Sequence, residues 1–555
     1  MNILRRSTPT RVVAPKCWSL DAPLVSLSSA TSDSLTLGDC LEHVAIFGGT
    51  GSGKTSGSGS TVAQTYLRAG FGGLVCCAKP DEAARWQAYA QATGRANSVI
   101  RFDASGRYRL NVLDYLLHLP PELGGGLVDN AVHTLMHLLQ VAQGKNGGDS
   151  ERTDFWLKAV RELLSNAIAS LYHAYGTVRL DELLQLIHSV PTSEEQARDP
   201  DFQTWSTCYS TMRRLFDKPK IPLPEREAKL LVSYFGQTFG RLDPKTRSNI
   251  IITLSTELSP FLKGPLHTLF CTGTNITPEV THDGVVLVMD LPLKRFEQAG
   301  YVAQMLVKYL WQKAAERRGP SGQARPIFLF ADEAQFFVSP YDMEFLSTAR
   351  SARAATVYIT QNLPSLYASV GGTHPQDRID ALLGNFQTKI FHANSCHRTN
   401  QWAADLIGKS VQRRSNRSWS FGESSQTSDG HSGNWGMQRG TSRGDNRGSS
   451  VGGSYSAEGQ HSISFNVSAG RQKGTSHSRS VGGGWSTGTS SGQSDTAGGG
   501  WSEVSDYTVM PSDFANGLRQ GGPRNHFVVT GLLLQANRRF SRSGACWTPV
   551  KFKQP

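Results

Sequence analysis

The sequence specifies an α/β protein: a mostly parallel sheet with helices on both faces, interrupted by a long all-helical stretch. Three observations carry this. Short apolar runs recur along the chain and are continuous rather than alternating, which is the pattern of strands covered on both faces. The runs vanish between about residues 116 and 264, where apolar residues fall at helical spacing instead. A glycine-rich phosphate-binding signature follows directly on one run.

At 555 residues the chain exceeds what one core holds, so two or three domains are expected. The opening segment, 1–40, begins MNILRRSTPTRVV; it is basic and lacks the apolar centre of a secretory signal. The strand-like runs are His43–Phe47, Gly73–Cys77, Gly284–Met289, Ile327–Phe330, Thr356–Thr360 and Lys389–His392, and Phe527–Leu534 offers an edge strand. A first part of the α/β domain thus spans 41–115, an all-helical domain 116–264, and a second part of the α/β domain 265–412. Within the helical block, Trp156, Val160, Leu163, Leu164, Ala167, Ile168, Leu171 and Tyr172 form one stripe at i, i+4, i+7, i+8, i+11, i+12, i+15 and i+16, the face of a helix that packs into a core. Nearly half of residues 411–500 are Gly or Ser, with GGGWS at Gly482–Ser486 and Gly498–Ser502. That composition buries too little apolar surface to fold alone, so 413–505 is expected to be a disordered insertion. Its tryptophans and the alternating stretch SYSAEGQHSISFNVSAG argue instead for strands that order on a partner. Folded-type sequence resumes over 506–555.

Net charge is +12. Such a balance suits a polyanion, nucleic acid or an anionic membrane face, and equally a solvated basic surface. The eight cysteines are scattered with no C-x-x-C pair, which excludes a disulfide framework or zinc ribbon and fits a reducing cytosol. No apolar run approaches the ~18 residues of a membrane-spanning helix.

The phosphate signature is Gly48, Gly49, Thr50, Gly51, Ser52, Gly53, Lys54 and Thr55, a full G-x-x-x-x-G-K-[ST] between a strand and a helix. Its glycines let successive N–H groups face phosphates, Lys54 would contact the β- and γ-phosphates of ATP, and the Thr55 hydroxyl would ligate Mg2+. Far downstream, IFLFADE ends an apolar strand on two acids. Asp332 would help hold the metal, and Glu333 would orient or deprotonate the attacking water, which points to an ATP hydrolase rather than a small-molecule kinase. TVYITQ ends on Gln361, placed to report the γ-phosphate to moving parts. Arg350 and Arg353 lie just upstream; either could reach a neighbouring subunit's nucleotide, and either could meet solvent or DNA phosphates.

With these residues in view, the chain resembles the TraG/TraD-like type IV coupling proteins of conjugation systems. The resemblance is carried by LEHVAIFGGTGSGKTSG, GGLVCCAKPDEA, YRLNVLD, FLFADEAQFF, TARSARAATVYITQNLPSLY, FQTKIFHANSCHRTNQWAADLIGK and VMPSDFANGLRQGG. It spans most of the chain outside 1–40 and 411–505. It implies a RecA-like motor domain carrying an all-alpha domain, a homo-hexameric ring with ATP at subunit interfaces, and delivery of DNA or a relaxase–DNA complex to a type IV secretion channel. Arg350 would then act in trans. Many relatives carry N-terminal transmembrane helices, which this sequence lacks, so a cytoplasmic protein reaching the bacterial inner membrane through partners is expected. Cys76-Cys77-Ala78 stands where relatives often have an acid, which argues against a nucleotide role for that strand end. A FtsK- or HerA-like DNA pump inside the cell, or an adaptor with weak ATPase, are the alternatives.

Overall fold

A computed structural model describes residues 18–27, 33–143, 150–319, 323–370, 374–430, 437–455, 461–481 and 485–554; for 142–155 and 413–502 the description is of the backbone. The strands, in chain order, are β1 (Pro23–Ser26), β2 (Ser34–Thr36), β3 (Val44–Phe47), β4 (Gly72–Cys76), β5 (Val99–Asp103), β6 (Val286–Asp290), β7 (Ile327–Asp332), β8 (Ala354–Thr360), β9 (Thr388–Phe391), β10 (Lys409–Gly430), β11 (Met437–Tyr455), β12 (His461–Val481), β13 (Trp485–Tyr507), β14 (Val528–Gln535) and β15 (Trp547–Lys553). The chain forms two compact units: Met1–Asn400 together with Ser512–Pro555, and Gln401–Pro511.

The first unit is organised by a nine-stranded sheet in the order β15-β14-β9-β3-β8-β7-β4-β6-β5. From β9 to β5 every pairing is parallel, and β14 and β15 close one side antiparallel. The continuous apolar runs explain the layering: every residue of β3, β4, β7, β8 and β9 is buried, as a parallel sheet covered on both faces requires. β5 and β15 are strands that the sequence pattern did not single out. Both lie at the edges of the sheet, and their charged residues, exposed at Arg101, Lys551 and Lys553 and half-buried at Asp103, interrupt the apolar run.

Between β5 and β6 the chain leaves the sheet for a run of helices, from Val112–Leu117 to Gly264–Phe270. Its longest, Ser150–Tyr175, carries the stripe named above, and Val160, Leu163, Leu164, Ala167, Ile168 and Leu171 are buried. No helix among the described residues is long and apolar enough to cross a membrane. The described cysteines are free thiols.

The second unit differs from the disorder expected of its composition. Its backbone forms a four-stranded antiparallel sheet, β10-β13-β12-β11, with β10 and β13 paired without a break from Lys409↔Tyr507 to Gly430↔Ser486. Long antiparallel ladders satisfy backbone N–H and C=O groups without a large apolar core, and the period-two alternation was the signal for them.

Candidate active site

β3 ends at Phe47, and the chain turns through Gly48–Lys54 into a wide helical turn, Thr55–Gly59, that leads into the helix Ser60–Arg68. Gly51 and Gly53 hold φ of +75° and +81°, left-handed values that an L side chain adopts only with strain. The loop is pinned by Gly49 N donating to Ala393 O at 2.9 Å and by Gly48 N donating to Thr360 O at 3.3 Å. β14 presses on it from the side, since a Cβ at Gly53 would lie 2.4 Å from Val529 Cγ2.

Three features inside this cradle fit a magnesium nucleotide. The Ser52 hydroxyl is buried with no hydrogen-bond partner. Lys54 is buried, and burial pushes its ammonium pKa down, against the pull of Glu333 and Asp332; such a cation calls for an anion beside it. The Thr55 hydroxyl donates to Asp332 Oδ2 at 2.9 Å, so one hydroxyl and one carboxylate converge where a hard cation takes oxygen ligands.

The acids come from β7, separated from β3 only by β8. Asp332 Oδ1 accepts from Glu333 N at 3.0 Å. Glu333 itself is left-handed, with φ +56° and ψ +51°, a strain of about 1–3 kcal/mol for a non-glycine residue. Its carboxylate is buried and held by Lys79 Nζ at 2.7 Å, Gln335 Nε2 at 2.9 Å and Gln361 Nε2 at 3.3 Å. Burial pushes its pKa up, and these donors more than offset that, so it titrates below an ordinary glutamate. The Thr50 hydroxyl donates to Gln361 Oε1 at 3.4 Å, which makes Gln361 a bridge between the phosphate loop and Glu333.

The structure thus gathers Gly48 to Thr55, Asp332, Glu333 and Gln361 at the carboxyl ends of three parallel strands, where open α/β sheets bind ligands. The two arginines lie elsewhere. Arg350 and Arg353 precede β8, at the opposite edge of the sheet. Arg353 is buried, with NH1 donating to Trp18 O at 2.9 Å, so it is committed to its own fold and has no reach to a neighbour. Arg350 is exposed and pairs with Glu42 at 3.2 Å.

The turn after β4 supplies residues that sequence reasoning set aside. Lys79 meets Glu333, and Arg85 NH1 lies 3.8 Å from Asp332 Oδ2. Glu82 accepts from Ala78 N at 2.7 Å, and its pKa is pushed to about 8 by burial and then by Asp332. The charged KPDEAAR follows a strand, but its partners show only in the fold: β4 pairs with β7, Cys76 beside Ala331, which brings Lys79 and Arg85 to the acids that end β7. His392, at the end of β9, was also missed; its Nε2 lies 2.7 Å from the Ser58 hydroxyl and its Nδ1 lies 2.9 Å from Thr530 O, which ties β9, β14 and the phosphate-loop helix together.

Residues 326–444 match the family model described as the TraM recognition site of TraD and TraG. That segment is TraG/TraD-like. Among solved structures, the unbound monoclinic form of the bacterial conjugative coupling protein TrwBdeltaN70 is similar at a TM-score of 0.51 and 13% identity, over 97% of this chain and 90% of that chain. The plasmid coupling protein TrwB in complex with ADP and Mg2+ follows at 0.49 and 14%, over 97% and 91%. No curated protein matches the sequence significantly. The TraG/TraD-like stretch contains β7, the Asp332–Glu333 pair, β8 and Gln361, so the matched segment carries one wall of the site, and the TrwB likeness extends the same α/β fold to the wall that bears the phosphate loop.

Proposed function

We propose that this chain is the ATP-hydrolysing motor that feeds DNA, or a relaxase–DNA complex, into a type IV secretion channel. The observation that carries the reading is the Thr55–Asp332 contact, with Lys54 and Glu333 on either side of it. Magnesium, when bound, would neutralise charge on the β- and γ-phosphates. The protein's own groups do the remainder. Backbone N–H groups of Gly51, Gly53, Lys54 and Thr55 and the Lys54 ammonium hold the phosphates, and the Ser52 hydroxyl gains a partner. Glu333, deprotonated at neutral pH, orients the attacking water and takes its proton, while Gln361 couples the state of the loop to β8 and the segment beyond it.

Translocation follows from placing such sites in a homo-hexameric ring, where head-to-tail contacts let one subunit complete another's site. Arg350 would be the arginine that acts in trans, a reading supported by its exposure at the amino end of β8. The net charge of +12 supports a grip on the DNA backbone without reading sequence. The TraG/TraD-like segment supports a relaxosome as cargo source and a channel at the membrane as destination, with the chain on the cytoplasmic side and membrane contact through partners.

The test is hydrolysis with and without DNA. Wild-type protein should turn over ATP faster when DNA is added, with a steep loss of stimulation as salt rises; Lys54→Ala should be silent in both conditions. Equal rates for wild type and Lys54→Ala would remove the motor reading. Turnover indifferent to DNA would remove the DNA substrate and leave the hydrolase.

A further inference from the structure

Lys79 has no part in the hydrolytic scheme above, yet it holds the residue at its centre. Its Nζ is 2.7 Å from Glu333 Oε1, while Glu333 Oε2 accepts from both Gln335 and Gln361. A general base needs a lone pair free to face water, and an ammonium on the carboxylate occupies that site. As the structure stands, both oxygens of Glu333 are engaged.

The two partners differ in freedom. The Glu333 side chain is 7% exposed and the Lys79 side chain 39%. Glu333 is confined by its left-handed backbone and its amide partners, whereas Lys79 borders solvent. The lysine is also aimed from behind: Ala78 N donates to Glu82 Oε2 at 2.7 Å and Lys294 N donates to Ala78 O at 3.3 Å, so the turn after β4 is tied both to itself and to the segment that follows β6. A shift of that turn would withdraw the ammonium and leave the carboxylate in place.

We propose that Lys79 is a positioning residue that parks Glu333: its ammonium keeps the carboxylate from acting as base until the turn after β4 moves. The inference rests on the hydrolase reading of the same site. No covalent bond changes in the parking step; an ion pair opens, and the freed carboxylate then accepts the proton of the attacking water.

Lys79→Met, which keeps most of the length of the side chain and removes its charge, is the test, with Lys79→Arg as the charge-retaining companion. DNA-independent turnover of Lys79→Met should rise about fivefold with KM unchanged, which is about 1 kcal/mol in the barrier and the scale of a partly exposed ion pair. DNA should then stimulate it less than wild type, and Lys79→Arg should keep the low basal rate. The double variant Lys79→Met/Glu333→Gln should be silent, because the gain acts through Glu333. A Lys79→Met protein with wild-type melting temperature and a basal rate equal to or below wild type overturns the parking role alone. If wild type itself is no faster than Lys54→Ala, the hydrolase reading falls and the parking role falls with it.

Discussion

Replacing Gly53 by alanine puts the seat of the phosphate loop to a quantitative test. The residue has φ of +81°, and an added Cβ would lie 2.4 Å from Val529 Cγ2 and 3.1 Å from the carbonyl oxygen of Gln520. The left-handed backbone costs an alanine about 1–2 kcal/mol. Forcing a methyl into the buried face of β14 adds about 1–3 kcal/mol. The loop can relieve both only by leaving the geometry that aims its N–H groups at phosphates. A combined cost of about 2–5 kcal/mol therefore becomes a loss of nucleotide affinity of about thirtyfold to a few thousandfold, at tenfold per 1.4 kcal/mol. Titration of a fluorescent ATP analogue reads this directly, with a thermal melt to show that the variant is folded. Val529→Ala in the Gly53→Ala background removes the opposing methyls and should restore the steric share while leaving the backbone share. Wild-type affinity in Gly53→Ala, or no recovery on adding Val529→Ala, would refute the placement of β14 against the loop.

Lys308 and Asp342 form a buried ion pair at 2.6 Å, with exposures of 1% and 0%, and Lys308 Nζ also donates to Phe337 O at 2.6 Å. Lys308→Met strands the carboxylate and should cost about 3–5 kcal/mol in denaturant unfolding, whereas Lys308→Met/Asp342→Leu should recover most of it. Burial pushes His43, His137, His282 and His392 down from 6.5 to about 4. The folded state holds these histidines neutral while the unfolded chain takes up protons near the ordinary value. Their contribution to stability is thus complete above about pH 6.5 and is lost as pH falls toward about 4; melting temperatures should drop through that window and stay level from pH 7 to 8.

Much of this was legible because some residue types admit one physical use. Gly48 to Thr55 could be read in full, since the loop is local in sequence and its strand and helix flank it. Asp332 and Glu333 were legible as a strand end, and the pairing of Asp332 with Thr55 followed once both strands belonged to one parallel sheet. Lys79 was not legible, because its role depends on β4 lying beside β7, a long-range pairing that local pattern does not encode. Arg353 illustrates the reverse: adjacency in sequence to Arg350 suggested a shared role, and a left-handed backbone with a buried guanidinium gives it a structural one. The strands of 409–507 were obscured because composition measures core-forming capacity, whereas their ladders satisfy the backbone without one.

If Thr55 and Asp332 hold a single magnesium ion with a nucleoside triphosphate, calorimetric titration of ATP with magnesium and in EDTA will show it. Wild type should bind far more tightly with magnesium, Thr55→Val and Asp332→Asn should each lose most of that difference, and the double variant should lose no more than the worse single one. Undiminished magnesium dependence in both single variants would mean that the ion is held elsewhere.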